Sequence, residues 1–186
     1  DTPADQEARL HDYKRFAAEA FGRANKLDHA VYPAKGAKIG IVSSGKSWLD
    51  TILAMQLLGI DAAMAEKLGI STYKIGMVWP LDMKSFREWS DSLDLIIVVE
   101  EKRKLIEVQI KEAIFNDRHG RRVIGWKDEA GETLFSVKKA LDPVNIARSL
   151  VRVLRGEGAW DEALNEAAAQ IEVAAVANNA PSIATR

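Results

Sequence analysis

The sequence predicts an α/β domain: a three-layer αβα arrangement around a mostly parallel sheet, with additional helices at the N- and C-terminal ends. Two observations carry that prediction. Strand-like and helix-like segments alternate from Ile39 to Arg155, the order that builds parallel sheets. Leu95 to Val99 is an unbroken apolar run, as expected of a strand covered on both faces.

The elements follow in order. "PADQEARLHDYKRFAAEAFGRAN" predicts a helix with Leu10, Tyr13, Phe16, Ala17 and Phe21 on one side and charges on the other, an apolar side for packing on the chain's own sheet or for docking another surface. A turn spans Leu27 to Tyr32, and "PAKGAK" reads as a linker. Ile39 to Val42 is a short strand. Ser47 to Leu58 is a helix with Trp48, Leu49, Ile52, Leu53 and Leu57 inward, closed by Gly59. Asp61 to Gly69 is a second short helix, again ended by glycine. Ile70 to Val78 is strand-like until Pro80 breaks it, and Asp82 is placed to cap the next helix.

After the Leu95–Val99 strand, Leu105, Ile106, Gln109, Ile110, Ala113 and Ile114 form a stripe at helical spacing. Arg122 to Trp126 is a further strand, and Thr133 to Ser136 is a candidate hairpin partner for it. Asp142-Pro143 is a cap followed by a first-turn proline. That helix turns Ile146, Ala147, Leu150, Val151 and Leu154 inward. Trp160 to Ala177 is alanine-rich and helical, and "NNAPSIATR" is expected to fray. The expected division is residues 1–33 as helix and linker, 34–156 as the α/β domain, and 157–186 as a helical tail.

Bulk properties narrow the function. The chain has 186 residues, 47% of them hydrophobic and 28% charged, which suits a folded domain in water. Twenty-six basic side chains face twenty-seven acidic ones, so no strong field of one sign invites nucleic acid or an anionic membrane. No apolar run approaches the roughly 20 residues of a membrane helix. There is no cysteine, which excludes thiolate catalysis and cysteine-held clusters within this chain. A reducing, cytoplasmic setting is the expectation. The chain opens without a methionine and is expected to be a piece of a longer protein.

One motif demands a decision. Gly40-Ile41-Val42-Ser43-Ser44-Gly45-Lys46-Ser47 matches G-x-x-x-x-G-K-S, the nucleotide-phosphate loop, and "LIIVVEE" could serve as its acidic strand. The physics opposes that reading. Only Ala37, Lys38 and Ile39 lie between Gly36 and Gly40, and Ile41 and Val42 favour pleated sheet over a loop. The strand is expected to run through Gly40 and leave "SSGKS" as a tight strand-to-helix turn. Such a turn keeps a small electropositive spot at the helix start, or serves as a plain helix start.

Three stretches in this order and spacing then point to a family: "GIVSSGKSWLDTILAMQLLGID", "KIGMVWPLD" and "LIIVVEEKRKLIEVQIKEAIFN". Together they resemble the transketolase-C-terminal-like domain of indolepyruvate:ferredoxin oxidoreductases. The resemblance covers roughly residues 38–116, and the alanine-rich end departs from it. It implies a non-catalytic domain that helps assembly and lines one side of an active site. It implies a parent enzyme with thiamine diphosphate, magnesium and iron–sulfur clusters, none of them held by this chain. The parent would oxidatively decarboxylate aryl 2-oxo acids to acyl-coenzyme A and reduce ferredoxin. Its partners would be other domains or subunits of the same oxidoreductase.

The residues add a placement. Ligands and partners of an open α/β sheet meet the carboxyl ends of its strands. Three such ends are marked: Ser43, Ser44, Gly45, Lys46 and Ser47; then Gly76 to Pro80 with Trp79; then Glu100, Glu101, Lys102 and Arg103. These are interface or anion-binding candidates. Glu100 and Glu101 point opposite ways on a strand, so one is expected to cap the following helix or pair with a neighbouring cation. His11, His29 and His119 are scattered and offer no metal set. The expectation is a catalytically inert chain; the rivals are a phosphate-loop nucleotide hydrolase and a small-anion binding module.

Overall fold

The computed structural model describes residues 2–33, 35–117, 119–138 and 140–179. The chain begins with α1 (Pro3–Arg9), a π-helical turn (Leu10–Lys14) and α2 (Arg15–Ala24), which run on as one rod. Then come β1 (His29–Tyr32), β2 (Ile39–Ser44), α3 (Gly45–Leu57), α4 (Ala62–Leu68) and β3 (Ile70–Ile75). They are followed by α5 (Met83–Ser90), β4 (Leu95–Val99), α6 (Ile106–Ile114) and β5 (Arg122–Ile124). α7 (Pro143–Gly156), a 3₁₀ turn (Glu162–Leu164) and α8 (Asn165–Asn179) complete it.

The sheet has five strands in the order β1-β3-β2-β4-β5. β2 pairs in parallel with both β3 and β4, and β4 with β5; only β1 is antiparallel. Alternation along β4 divides the core. Leu95, Ile97 and Val99 join Ala54, Met55, Ala65, Ile146, Leu150 and Leu154 on one face. Ile96 and Val98 join Phe86, Ile106, Ile110 and Ile114 on the other. Helices therefore cover both faces, and the α/β sandwich with a mostly parallel sheet is the observed fold. Leu164, Ala168 and Ile171, from the alanine-rich end, lie in the first of these clusters.

Local chemistry explains the boundaries. Asp61 accepts the amide of Met64 and Asp142 that of Asn145, so each opens its helix. Gly69 takes φ +69° and ends α4 in the left-handed conformation.

Several expectations are corrected. β1 stands where a turn was expected. It is an edge strand created by pairing with β3, a partner about 40 residues away. The strand expected to Val78 ends at Ile75 because Asp28 takes the next two amides, those of Gly76 and Met77. The strand expected to Trp126 ends at Ile124, and Thr133 makes a single antiparallel bridge with Lys127. Asp82 makes no capping bond: its carboxylate faces Arg23 and Ser85 instead. Leu49, Leu53 and Leu57 point outward, Leu49 with 68% of its surface exposed. Trp48, Thr51, Ala54 and Met55 take the sheet side of α3. Leu105 is exposed as well. The N-terminal rod does not lay its apolar side on the sheet: Leu10, Tyr13, Phe16 and Phe21 face solvent. The expected fraying falls mainly on residues 180–186, outside the described residues.

Candidate functional site

The carboxyl ends of β2, β3 and β4 lie side by side, as their parallel registers require. There a cleft of about 260 Å³ is lined by Ser44, Lys46, Ser47, Val78, Val99, Glu100, Glu101 and Ile106.

The wall of the cleft nearest β2 accounts for the whole G-x-x-x-x-G-K-S pattern without a nucleotide. Gly40 sits mid-strand, paired with Ser71 and Ile96. A Cβ built on it would lie 2.5 Å from Leu93 and 2.6 Å from Trp89. The first glycine is thus required by rings and branches packed flat over the strand. The second, Gly45, takes φ +53° as strand turns directly into helix, a conformation that favours glycine. The strand continues through Ser44 and α3 starts at the next residue, so no loop remains to encircle phosphates. Ser47 is buried in the first turn of α3, and its carbonyl accepts the Thr51 hydroxyl at 2.6 Å.

Lys46 ties three segments together. Its ammonium pairs with Asp50 one turn along the helix and donates to the Leu141 carbonyl at 2.8 Å. It also lies 3.6 Å from Glu101 at the end of β4. Asp50 beside it, with the Glu101 charge, holds the Lys46 ammonium above its ordinary range despite partial desolvation. Glu101 closes the triangle by accepting the Leu141 amide at 3.2 Å. The strand ends of β2 and β4 and the approach to α7 are therefore pinned at one point.

Glu100 and Glu101 both lie just beyond β4 and do different work. The Glu100 carboxylate accepts the amides of Leu105, Ile106 and Glu107 at 3.1, 2.7 and 2.9 Å. These are donors at the start of α6 that have no partner within the helix. Burial pushes the Glu100 carboxyl up, the three amides oppose that, and the nearby Glu107 charge adds to the rise. Lys102 takes φ +70° where the chain leaves β4, and its ammonium lies 3.8 Å from Glu101. Lys102 and Arg103 are both exposed outside the cleft.

Trp79 belongs to a neighbouring cleft of about 450 Å³, bounded by Arg15, Glu19, Pro80, Met83, Arg87 and Gln109. Its side chain is 49% exposed and is not a core tryptophan. Gln109 donates to the carbonyls of Val78 and Leu105, both at 2.9 Å, and so bridges the two clefts. Sequence reasoning thus located Ser44, Lys46, Ser47, Glu100 and Glu101 at one place. It missed Asp50, Leu141, Asp28 and Gln109. Only Asp50 had a local signal, at i+4 from Lys46; the others reach the site through tertiary contacts.

Residues 29–178 match the family described as the indolepyruvate oxidoreductase domain. No curated protein matches the chain. Among solved structures it is similar to a 2-oxoglutarate:ferredoxin oxidoreductase from Magnetococcus marinus, solved with 2-oxoglutarate, coenzyme A and succinyl-CoA bound. Identity there is 18% and the TM-score 0.49, over 82% of this chain and 24% of that one. It is also similar to a split-gene transketolase in an inactive β4 tetramer, with 12% identity and a TM-score of 0.45. That match covers 68% of this chain and 41% of the transketolase chain. The match therefore spans about a quarter of the first structure's chain and about two fifths of the second's. With the family match extending over most of its residues, this chain belongs to the indolepyruvate oxidoreductase domain family.

Proposed function

We propose that this chain is the assembly and active-site-lining domain of a thiamine-diphosphate-dependent indolepyruvate-type ferredoxin oxidoreductase. In that reading the whole enzyme decarboxylates an aryl 2-oxo acid oxidatively, forms the acyl-coenzyme A and reduces ferredoxin. The observation that carries the reading is the family match over residues 29–178. The cleft agrees with a supporting role. Lys46, Glu100 and Glu101 are engaged in holding strand ends and a helix start together. Groups so engaged position backbone; they are not poised to exchange protons with a substrate.

The donor set does not fit the cofactors that the family implies. Iron–sulfur clusters take cysteine thiolates, and the chain has none. Among the described residues no group of three or more His, Asp or Glu side chains is arranged to hold a metal ion. No step is therefore assigned to a cofactor on this chain. Its contribution is the shape of the edge formed by Ser44, Val78 and Glu100, against which another domain of the enzyme would close.

The test is complementation. The chain alone, given thiamine diphosphate, magnesium, indolepyruvate, coenzyme A and oxidised ferredoxin, should give no acyl-coenzyme A. Addition of the remaining segments of the parent enzyme should restore the reaction. Turnover by the chain alone would overturn the reading. So would magnesium-dependent ATP or GTP binding that Lys46→Ala abolishes, in favour of the hydrolase.

A further inference from the structure

The Trp79 cleft is walled by three helices whose charges do not neutralise one another. Arg15 and Glu19 come from α2, Arg87 from α5, and Gln109 and Glu112 from α6. Arg15 and Glu19 stand one helical turn apart, a spacing at which opposite charges ordinarily pair. Among the described residues, neither of them makes an ion pair, and neither do Arg87 and Glu112. Arg15 Nε is buried without a hydrogen-bond partner; the guanidinium lies 5.0 Å from the Phe16 ring. A buried donor with no acceptor is costly and calls for a partner that completes it. Arg87 gives one nitrogen to the Ala113 carbonyl at 2.8 Å, which ties its guanidinium to α6 and leaves further N–H groups to donate. Gln109 spends its amide nitrogen on the Val78 and Leu105 carbonyls, so its oxygen remains as an acceptor.

These groups select one class of ligand. A simple anion would meet two carboxylates as well as two guanidiniums, and a simple cation the reverse. A zwitterion satisfies both. Trp79, 49% exposed, offers a flat ring beside Leu81 and Met83, a surface on which an aromatic side chain stacks. The volume of about 450 Å³ falls within the roughly 300–1,000 Å³ of small-molecule sites. A peptide carries its two terminal charges at opposite ends. A free amino acid carries both next to one side chain.

We infer that the cleft between α2, α5 and α6 binds a free aromatic amino acid. Its carboxylate lies between Arg15 and Arg87, where Arg15 Nε gains an acceptor. Its ammonium turns to Glu19, Glu112 and the Gln109 oxygen, and its ring rests on Trp79. Binding is a property of this chain and does not depend on the reaction of the parent enzyme.

Calorimetric titration with L-phenylalanine and three probes that each lack one part of it tests the inference. Phenethylamine has no carboxylate, 3-phenylpropionate no ammonium and L-alanine no ring. Phenylalanine should bind, and each probe should bind about ten-fold more weakly or worse. Arg15→Gln should weaken phenylalanine about ten-fold and leave phenethylamine unchanged. Glu112→Gln should weaken phenylalanine and leave 3-phenylpropionate unchanged. Thermal melting of both variants should match the parent, which separates lost binding from lost folding. No heat from phenylalanine at millimolar concentration would overturn the inference. Equal binding of 3-phenylpropionate and phenylalanine would also overturn it, because the carboxylates would then take no part. An equal loss of phenylalanine and phenethylamine in Arg15→Gln would do the same, by showing that the arginine shapes the cleft without holding a carboxylate.

Discussion

Glu100 Oε1 lies 2.7 Å from the amide nitrogen of Ile106, the residue that opens α6. One side chain at the end of β4 thus serves the helix that follows six residues later. Glu100→Ala removes the acceptor for three amides and should cost about 2 kcal/mol of folding stability. The deficit should depend on pH. Burial raises this carboxyl above its ordinary 4.5, so the folded state holds the proton more tightly than the unfolded state. The stabilisation due to Glu100 is then fully present below 4.5 and declines as pH rises through the folded-state value. Urea unfolding of both proteins at mildly acidic and neutral pH should show the deficit narrowing. A deficit that widens instead would mean that the amides outweigh burial.

Gly40→Ala separates a packing glycine from a phosphate-loop glycine. The added methyl meets Leu93 and Trp89 at about 2.5 Å and should cost about 1–3 kcal/mol by overpacking. Calorimetric titration with magnesium-ATP should give no heat for the parent chain or for the variant. A stable Gly40→Ala protein with normal melting would contradict the strand placement.

Arg23 and Asp82 join the anchored half of the N-terminal rod to the segment before α5. Burial pulls the Asp82 carboxyl up, but Ser85 and Arg23 together hold it below its ordinary range. Arg23→Met leaves that buried carboxylate without its charged partner and should cost about 2 kcal/mol, less than a fully enclosed pair because Arg23 is partly exposed. The depressed value means that stability from Asp82 is present above pH 3.8 and lost as pH falls through the folded-state value. Acid unfolding of the parent below pH 3.8 should therefore be steeper than that of Arg23→Met.

Lys102 holds φ +70° between β4 and α6. A β-branched residue resists that conformation, so Lys102→Val should lower stability by about 1–2 kcal/mol. Lys102→Gly should be tolerated. Equal melting of the two variants would show that the bend relaxes freely.

The fold was legible wherever local chemistry decides structure. The apolar run at Leu95–Val99 and the Asp142-Pro143 helix start stand as the sequence implies. The misreadings have a common cause. α3 carries two apolar stripes, and spacing alone cannot say which meets the sheet: Trp48, Ala54 and Met55 do, while Leu49, Leu53 and Leu57 do not. β1 is only four residues long and half-exposed, a pattern that becomes a strand only beside β3. In the site, one of the two carboxylates was expected to serve the next helix, and Glu100 does, although both residues lie beyond the end of β4. The backbone of Leu141 could not be anticipated, because it arrives from 40 residues further along the chain.

The two rims of the sheet bear on how the protein behaves when concentrated. β5 offers three residues on its open side, and β1 is broken by a register shift between Ala30 and Tyr32. Tyr32 gives its amide to the Thr72 hydroxyl. A stray strand arriving at either rim finds too few aligned donors and acceptors to extend the ladder. Runaway edge-to-edge pairing between copies is discouraged.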